Sequence, residues 1–215
     1  MRLAPYIDHT LLKPTATQAE IDALCHEARA HDFASVCVAG RWVSRAAYLT
    51  TDSPVHVSAV INFPLGTMSQ LSLLKEAVLA LGDGAEELDM VMPMGDFFNH
   101  ERKNFVRVVQ SVVALGAPVK LILETGLLTP AQIEEACLLA LQGGVAMVKT
   151  STGFGPGGAT LEAVQLMRRC LPETVGVKAS GGIRTREFAL QLIEAGATRL
   201  GTSAGLEIIK GDSDD

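Results

Sequence analysis

Eight apolar runs of five to eight residues recur along the chain, separated by longer stretches whose apolar positions return every three or four residues. The short runs cover residues 7–12, 35–39, 56–63, 87–92, 119–124, 145–151, 175–180 and 198–203, and their length is that of strands. The longer stretches predict helices over 18–31, 68–82, 97–115, 130–141, 161–170 and 186–195, with a short helical segment at 41–50. Thr129-Pro130 supplies an N-cap followed by proline at the first helical position. Gly82, Gly116, Gly143 and Gly196 mark helix ends.

Strands that are each followed by a helix run parallel, joined by crossovers. Eight such units close into a (β/α)8 TIM barrel, an α/β fold that usually takes ~250 residues and can be built from ~200. The competing arrangement is an open doubly wound sheet, which more often has fewer strands and a glycine fingerprint after the first. No Gly-x-Gly-x-x-Gly follows the first run. The expectation is one barrel domain over residues 1–215, with a frayed polar tail at 210–215.

Composition narrows the function. With a net charge of −6 and no basic run longer than Arg168-Arg169, the chain has no footprint for nucleic acid. No apolar run reaches the ~20 residues of a membrane span, and the first residues hold no signal-peptide core. Cys25, Cys37, Cys137 and Cys170 form no Cys-x-x-Cys pair, so neither a zinc site nor a disulfide framework is expected, and a reducing cytoplasm is the simplest setting. His9, His31, His56 and His100 lack metal-ligand spacing and read as structural or surface groups. No metal or other cofactor is expected. Cys25 and His26 lie on the first helix and Cys37 on a strand, and none of them makes a persuasive nucleophile.

The chemistry lies in the lysines. Of the seven, Lys120, Lys149 and Lys178 sit inside apolar runs. Burying an ammonium is costly, and a desolvated lysine can escape by losing its proton. A neutral amine attacks carbonyls and forms Schiff bases. Lys149 and Lys178 stand near the C-terminal ends of neighbouring strands, where barrel active sites form. Two cations that close favour deprotonation of one, and Gly176, on the same face as Lys178, is expected to leave room beside the amine. Asp89, a carboxylate within the fourth run, suits a proton shuttle. Lys120, early in its strand, suits an ion-pair role supporting that relay, as does Asp8 on the first strand.

Glycine-rich turns follow the seventh and eighth strands, containing Gly181 and Gly182 in one and Gly201, Thr202 and Ser203 in the other. In barrels these loops often hold phosphate through backbone N–H groups. The turn 150–158, with Thr150 and Gly153, lies beside them. Together with an amine nucleophile, they point to a phosphorylated carbonyl substrate.

Ile7-Asp-His-Thr-Leu-Leu-Lys-Pro14, Phe63-Pro-Leu-Gly66, Glu87-Leu-Asp-Met-Val91, Leu123-Glu-Thr-Gly126, Val148-Lys-Thr-Ser-Thr-Gly-Phe-Gly155, Val177-Lys-Ala-Ser-Gly-Gly-Ile183 and Gly201-Thr-Ser203 resemble deoxyribose-phosphate aldolase. The likeness runs from about residue 7 to 208. It implies a metal-free class I aldolase that cleaves 2-deoxy-D-ribose 5-phosphate reversibly to acetaldehyde and D-glyceraldehyde 3-phosphate. Lys149 then matches the Schiff-base lysine, Lys178 the second lysine that lowers its pKa, and Asp89 the acid/base carboxylate. A homo-oligomer, a dimer for preference, is implied as well. Some positions depart from the family pattern: Ala39-Gly40, Asn62 and Met92-Pro93, expected to bear on substrate preference, and Ala204, expected to loosen the phosphate grip. Another amine-dependent aldolase or a sugar-phosphate binding barrel remain as alternatives.

Overall fold

The computed structural model describes residues 1–211, so the last four residues of the expected tail lie outside the described residues. Strands β1 (Ile7–Leu11), β2 (Ser35–Ala39), β3 (His56–Ile61), β4 (Glu87–Val91), β5 (Val119–Ile122), β6 (Met147–Lys149), β7 (Gly176–Ser180) and β8 (Arg199–Thr202) run parallel in chain order. β8 pairs back onto β1, with Asp8 opposite Gly201, and the sheet closes into a barrel. Helices α1 (Gln18–His31), α2 (Val43–Thr50), α3 (Gln70–Gly82), α4 (Met94–Phe98), α5 (Arg102–Val113), α6 (Pro130–Gly143), α7 (Leu161–Cys170), α8 (Arg186–Glu194) and α9 (Gly205–Ile209) surround it.

Local chemistry sets these bounds. Thr17 and Thr129 cap α1 and α6 with full capping boxes, reciprocated by Glu20 and Gln132. Gly144, in the left-handed region at φ 80°, ends α6 two residues beyond the expected bound. The helix predicted over 97–115 is instead two, because the chain turns at Asn99 and His100, and His100 at φ 60° cannot continue a right-handed helix. The segment predicted at 41–50 starts with a 3-10 turn over Gly40–Trp42 before α2. Helix α9 is an addition to the predicted set.

The strand periodicity of two sorts side chains by chemistry. Outward residues such as Ile7, Val36, Val57, Leu88, Leu121, Val177 and Leu200 are buried against the helices, where they pack with Phe33, Phe97 and Phe105. This layer between barrel and helices is the apolar core. The inward positions are mixed: Val60, Val91, Ile122 and Met147 share that face with the carboxylates of Asp8, Glu87 and Asp89 and with Lys120, Lys149 and Lys178. Among the described residues no helix is long and apolar enough to cross a membrane.

Candidate active site

The inward side chains form one buried ion cluster. Asp89 Oδ2 accepts hydrogen bonds from Lys149 Nζ and Lys178 Nζ, both at 2.7 Å. Lys120 Nζ stands 3.2 Å from Asp89 Oδ1. Asp8 Oδ2 accepts from Lys178 and, at 3.0 Å, from Lys120, while its Oδ1 accepts from Arg199 at 2.7 Å. Below them, Lys120 Nζ donates to Ser58 Oγ at 2.6 Å and to Glu87 Oε2 at 2.5 Å. Cys37 Sγ lies 3.9 Å from Asp89 Oδ2, and burial pushes its thiol pKa up.

Burial taken alone would raise the pKa of Asp89, but the Lys120, Lys149 and Lys178 ammonium groups outweigh it and hold the carboxyl well below the usual range. For Asp8 the same contest is won by Lys120, Lys178 and Arg199. Burial works against the ammonium of Lys178, yet Asp8 and Asp89 hold its pKa above the ordinary lysine value. Lys120 is held up likewise, against burial, by Asp8, Asp89 and Glu87. This corrects the picture of two facing lysines in mutual repulsion. Asp89 bridges them, so each ammonium meets a carboxylate before it meets the other cation.

A cavity of about 410 Å³ opens above the cluster, at the C-terminal end of the barrel. Of the three barrel lysines, only Lys149 lines it. Its walls are residues 10–14 at the end of β1 and beyond, Thr152, Gly153 and Phe154 after β6, residues 180–184 from the last residue of β7 onward, and Gly201, Thr202 and Ser203 at the end of β8 and just beyond. The predicted residues Lys149, Gly153, Gly181, Gly182, Gly201, Thr202 and Ser203 therefore meet at one cavity. Lys178, Lys120, Asp8 and Asp89 meet one storey below it.

Thr150 does not join the cavity. Its hydroxyl donates to Ser180 O and accepts from Ser180 N, both at 3.0 Å, and so ties β6 to β7. Gly176 leaves room for Met147 and Thr198, and not for the amine. The space beside Lys178 comes from Gly201, where a Cβ would stand 3.0 Å from Lys178 Cε. The departures at Ala39, Gly40, Asn62, Met92, Pro93 and Ala204 are absent from the cavity wall. Asn62 is buried, at φ 54°, and its amide bonds Val91 O and Met68 N, so it shapes the backbone after β3.

Sequence reasoning missed several members. Glu87 precedes Asp89 by two and Arg199 precedes Gly201 by two, so strand alternation could have placed both inward. Lys13 and Arg184 bring cations to the cavity rim, Lys13 inside the Ile7–Pro14 motif and Arg184 one residue beyond the Val177–Ile183 motif. Glu124, buried at φ 56°, accepts from Thr152 N at 3.3 Å and from the Thr152 hydroxyl. Thr152 Oγ1 in turn accepts from Phe154 N at 3.0 Å, which pins the loop carrying Gly153 and Phe154. Glu124 lies in the Leu123–Gly126 motif, but nothing in that motif marks its left-handed backbone.

Fold and site together define a (β/α)8-barrel enzyme with a lysine amine at the floor of a glycine-walled pocket. The chain belongs to the DeoC/LacD family of aldolases, whose family model matches residues 2–211. It is 48% identical over 213 residues to deoxyribose-phosphate aldolase from Brevibacillus brevis, covering 98% of this chain and 96% of that protein. It is also 48% identical over 217 residues to deoxyribose-phosphate aldolase from Bdellovibrio bacteriovorus, covering 99% and 98%. The tetrameric deoxyribose phosphate aldolase from Aeropyrum pernix superimposes with a TM-score of 0.91 at 32% identity, covering 99% of this chain and 91% of that one.

Proposed function

We propose that this aldolase cleaves 2-deoxy-D-ribose 5-phosphate reversibly to acetaldehyde and D-glyceraldehyde 3-phosphate, through a Schiff base on Lys149. The observation that carries the reading is positional. Lys149 alone among the three barrel lysines faces the cavity, with Asp89 Oδ2 2.7 Å from its nitrogen.

An amine attacks as the free base, and its proton has a path out along the hydrogen bond to Asp89, a carboxylate too acidic to retain it. Lys149 adds to C1 of the open-chain sugar, and loss of water leaves an iminium. The C3 hydroxyl gives up its proton, the C2–C3 bond breaks, and its electron pair moves through C2 into the iminium to form an enamine. Glyceraldehyde phosphate departs. Protonation of the enamine at C2 and hydrolysis then release acetaldehyde and free the amine. Asp89 and Lys178, hydrogen-bonded at 2.7 Å, act as one proton-moving unit, with Asp8 and Lys120 holding that unit in place. The phosphate sits against the backbone N–H groups of the loops bearing Gly181, Gly182, Gly201 and Ser203, with the Arg184 guanidinium at the rim. That anchor fixes C1 against the amine.

The test is borohydride trapping with acetaldehyde followed by peptide mass mapping. An ethyl group on Lys149, absent in Lys149→Ala, is expected. A trap on Lys178 would exchange the two roles, and no trap in folded protein would sink the amine mechanism.

The chain also forms a homo-oligomer in this reading, a dimer for preference. α3 leaves Leu71, Val78 and Leu79 exposed, beside exposed Leu65 and Met68. A second copy of the chain is the occupant favoured for that face. Three of its four free cysteines are buried thiols, in keeping with a reducing cytoplasm.

A further inference from the structure

Two charged groups of the ion cluster take no part in the steps above. Glu87 opens β4 and Arg199 opens β8, so both stand at the N-terminal rim of the barrel, the end opposite the cavity. Glu87 accepts from Lys120 Nζ at 2.5 Å and from Ser58 Oγ at 2.8 Å. Arg199 donates to Asp8 at 2.7 Å, and its second terminal nitrogen lies 3.6 Å from Glu87 Oε1. Their side chains keep 10% and 15% exposure, whereas those of Lys120, Lys178, Asp8 and Asp89 have none. Among the described residues, the cluster thus touches water from below only through this pair.

We propose that Glu87 and Arg199 are positioning residues that set the charge balance of the lysine cluster, and through it the pH at which the Schiff base forms. The inference rests on the amine reading given above. The groups that share the barrel interior with the pair are Asp8 on β1, Cys37 on β2, Asp89 on β4, Lys120 on β5, Lys149 on β6 and Lys178 on β7. Glu86, the residue before Glu87, turns away to His56 and Val57 N and stays outside the set. Four cations inside the barrel thus face three carboxylates. Basic side chains outnumber acidic ones by one in this set, and an amine must lose a proton before it attacks.

Removing either rim charge shifts that balance in a known direction. With Glu87 neutral, the cations lose a partner and a proton leaves more easily. With Arg199 neutral, the carboxylates bind the remaining protons more firmly. At several ångströms through a polar interior, each change amounts to about half to one pH unit.

The measurement is the pH dependence of the rate of borohydride-trapped Schiff base with acetaldehyde, on Glu87→Gln, Arg199→Gln and the double variant. The acid limb is expected to move to lower pH in Glu87→Gln and to higher pH in Arg199→Gln. In the double variant it returns to within about 0.3 unit of the parent. A merely structural role would lower the rates and leave the limb in place. Limbs that stay put, or move in the same direction, overturn the proposal. The site of the trap distinguishes the two readings: with the ethyl group still on Lys149, unmoved limbs count against the rim pair alone, whereas loss of the trap in the parent protein counts against the amine mechanism. If one single variant does not fold, the other single and the charge-balanced double decide.

Discussion

Gly201 is where one added methyl group meets the site most directly. Its Cβ would lie 2.9 Å from Ser180 Cβ and 3.0 Å from Lys178 Cε, so the lysine stem has to give way. Gly201→Ala is expected to pull Lys178 off Asp89 and lower kcat about ten- to a hundredfold, with KM changed far less. Steady-state kinetics at matched secondary-structure content checks this, and an unchanged kcat would show that the placement of Lys178 is not needed. Lys149, Lys178 and Asp89 were legible because a charge in the middle of an apolar run is conspicuous. Glu87 and Arg199 stand out less, since a polar residue at the first position of a strand is ordinary, and only their two-residue spacing from Asp89 and Gly201 points them inward.

At the scale of elements, the strand order and most helix bounds could be read from apolar spacing. Three features escaped that spacing for one cause. His100, Asn62 and Glu124 hold left-handed backbone, which a pattern of apolar residues does not encode. The first splits a predicted helix, the second cuts β3 short at Ile61, and the third anchors the loop that walls the cavity. Helix ends, in contrast, carry readable signals. Thr129→Ala removes the capping box of α6 and is expected to cost about 1 kcal/mol. For a chain of this size that lowers Tm by roughly 2–4 °C in a thermal melt. A larger loss would mean that α6 depends on its cap for more than local order.

Over the whole molecule, the closed barrel followed from counting eight strand–helix units and its inward charges from their places inside apolar runs, but the pairing of those charges did not, because pairing across the axis joins residues far apart in the chain. That interior predicts a two-sided pH response. Asp8 and Asp89 are held below the unfolded carboxylate value of about 3.9, so their stabilisation is full above that pH and fades as pH falls through their folded values. Lys120 and Lys178 are held above the unfolded lysine value of about 10.4, so theirs is full below it and fades as pH rises through their folded values. Tm measured against pH is expected to fall on both flanks, and Lys120→Met is expected to flatten the alkaline fall; an alkaline flank identical to the parent's would remove Lys120 from the account. At the same scale, Leu71→Lys with Val78→Lys on α3 is expected to shift the protein toward monomer in light scattering. A mass that does not change would place any self-contact on another face.

The interior charges are also divided along the chain. Asp8, Glu87 and Asp89 all come from β1 to β4, whereas Lys120, Lys149, Lys178 and Arg199 all come from β5 to β8. Each half of the barrel is therefore a shell lined with one sign of charge, unable to bury its own lining without the other. The proposed catalytic groups lie on the seam at which the two half-shells offset one another's charge, so the contacts that hold the Lys149 amine also draw the halves together.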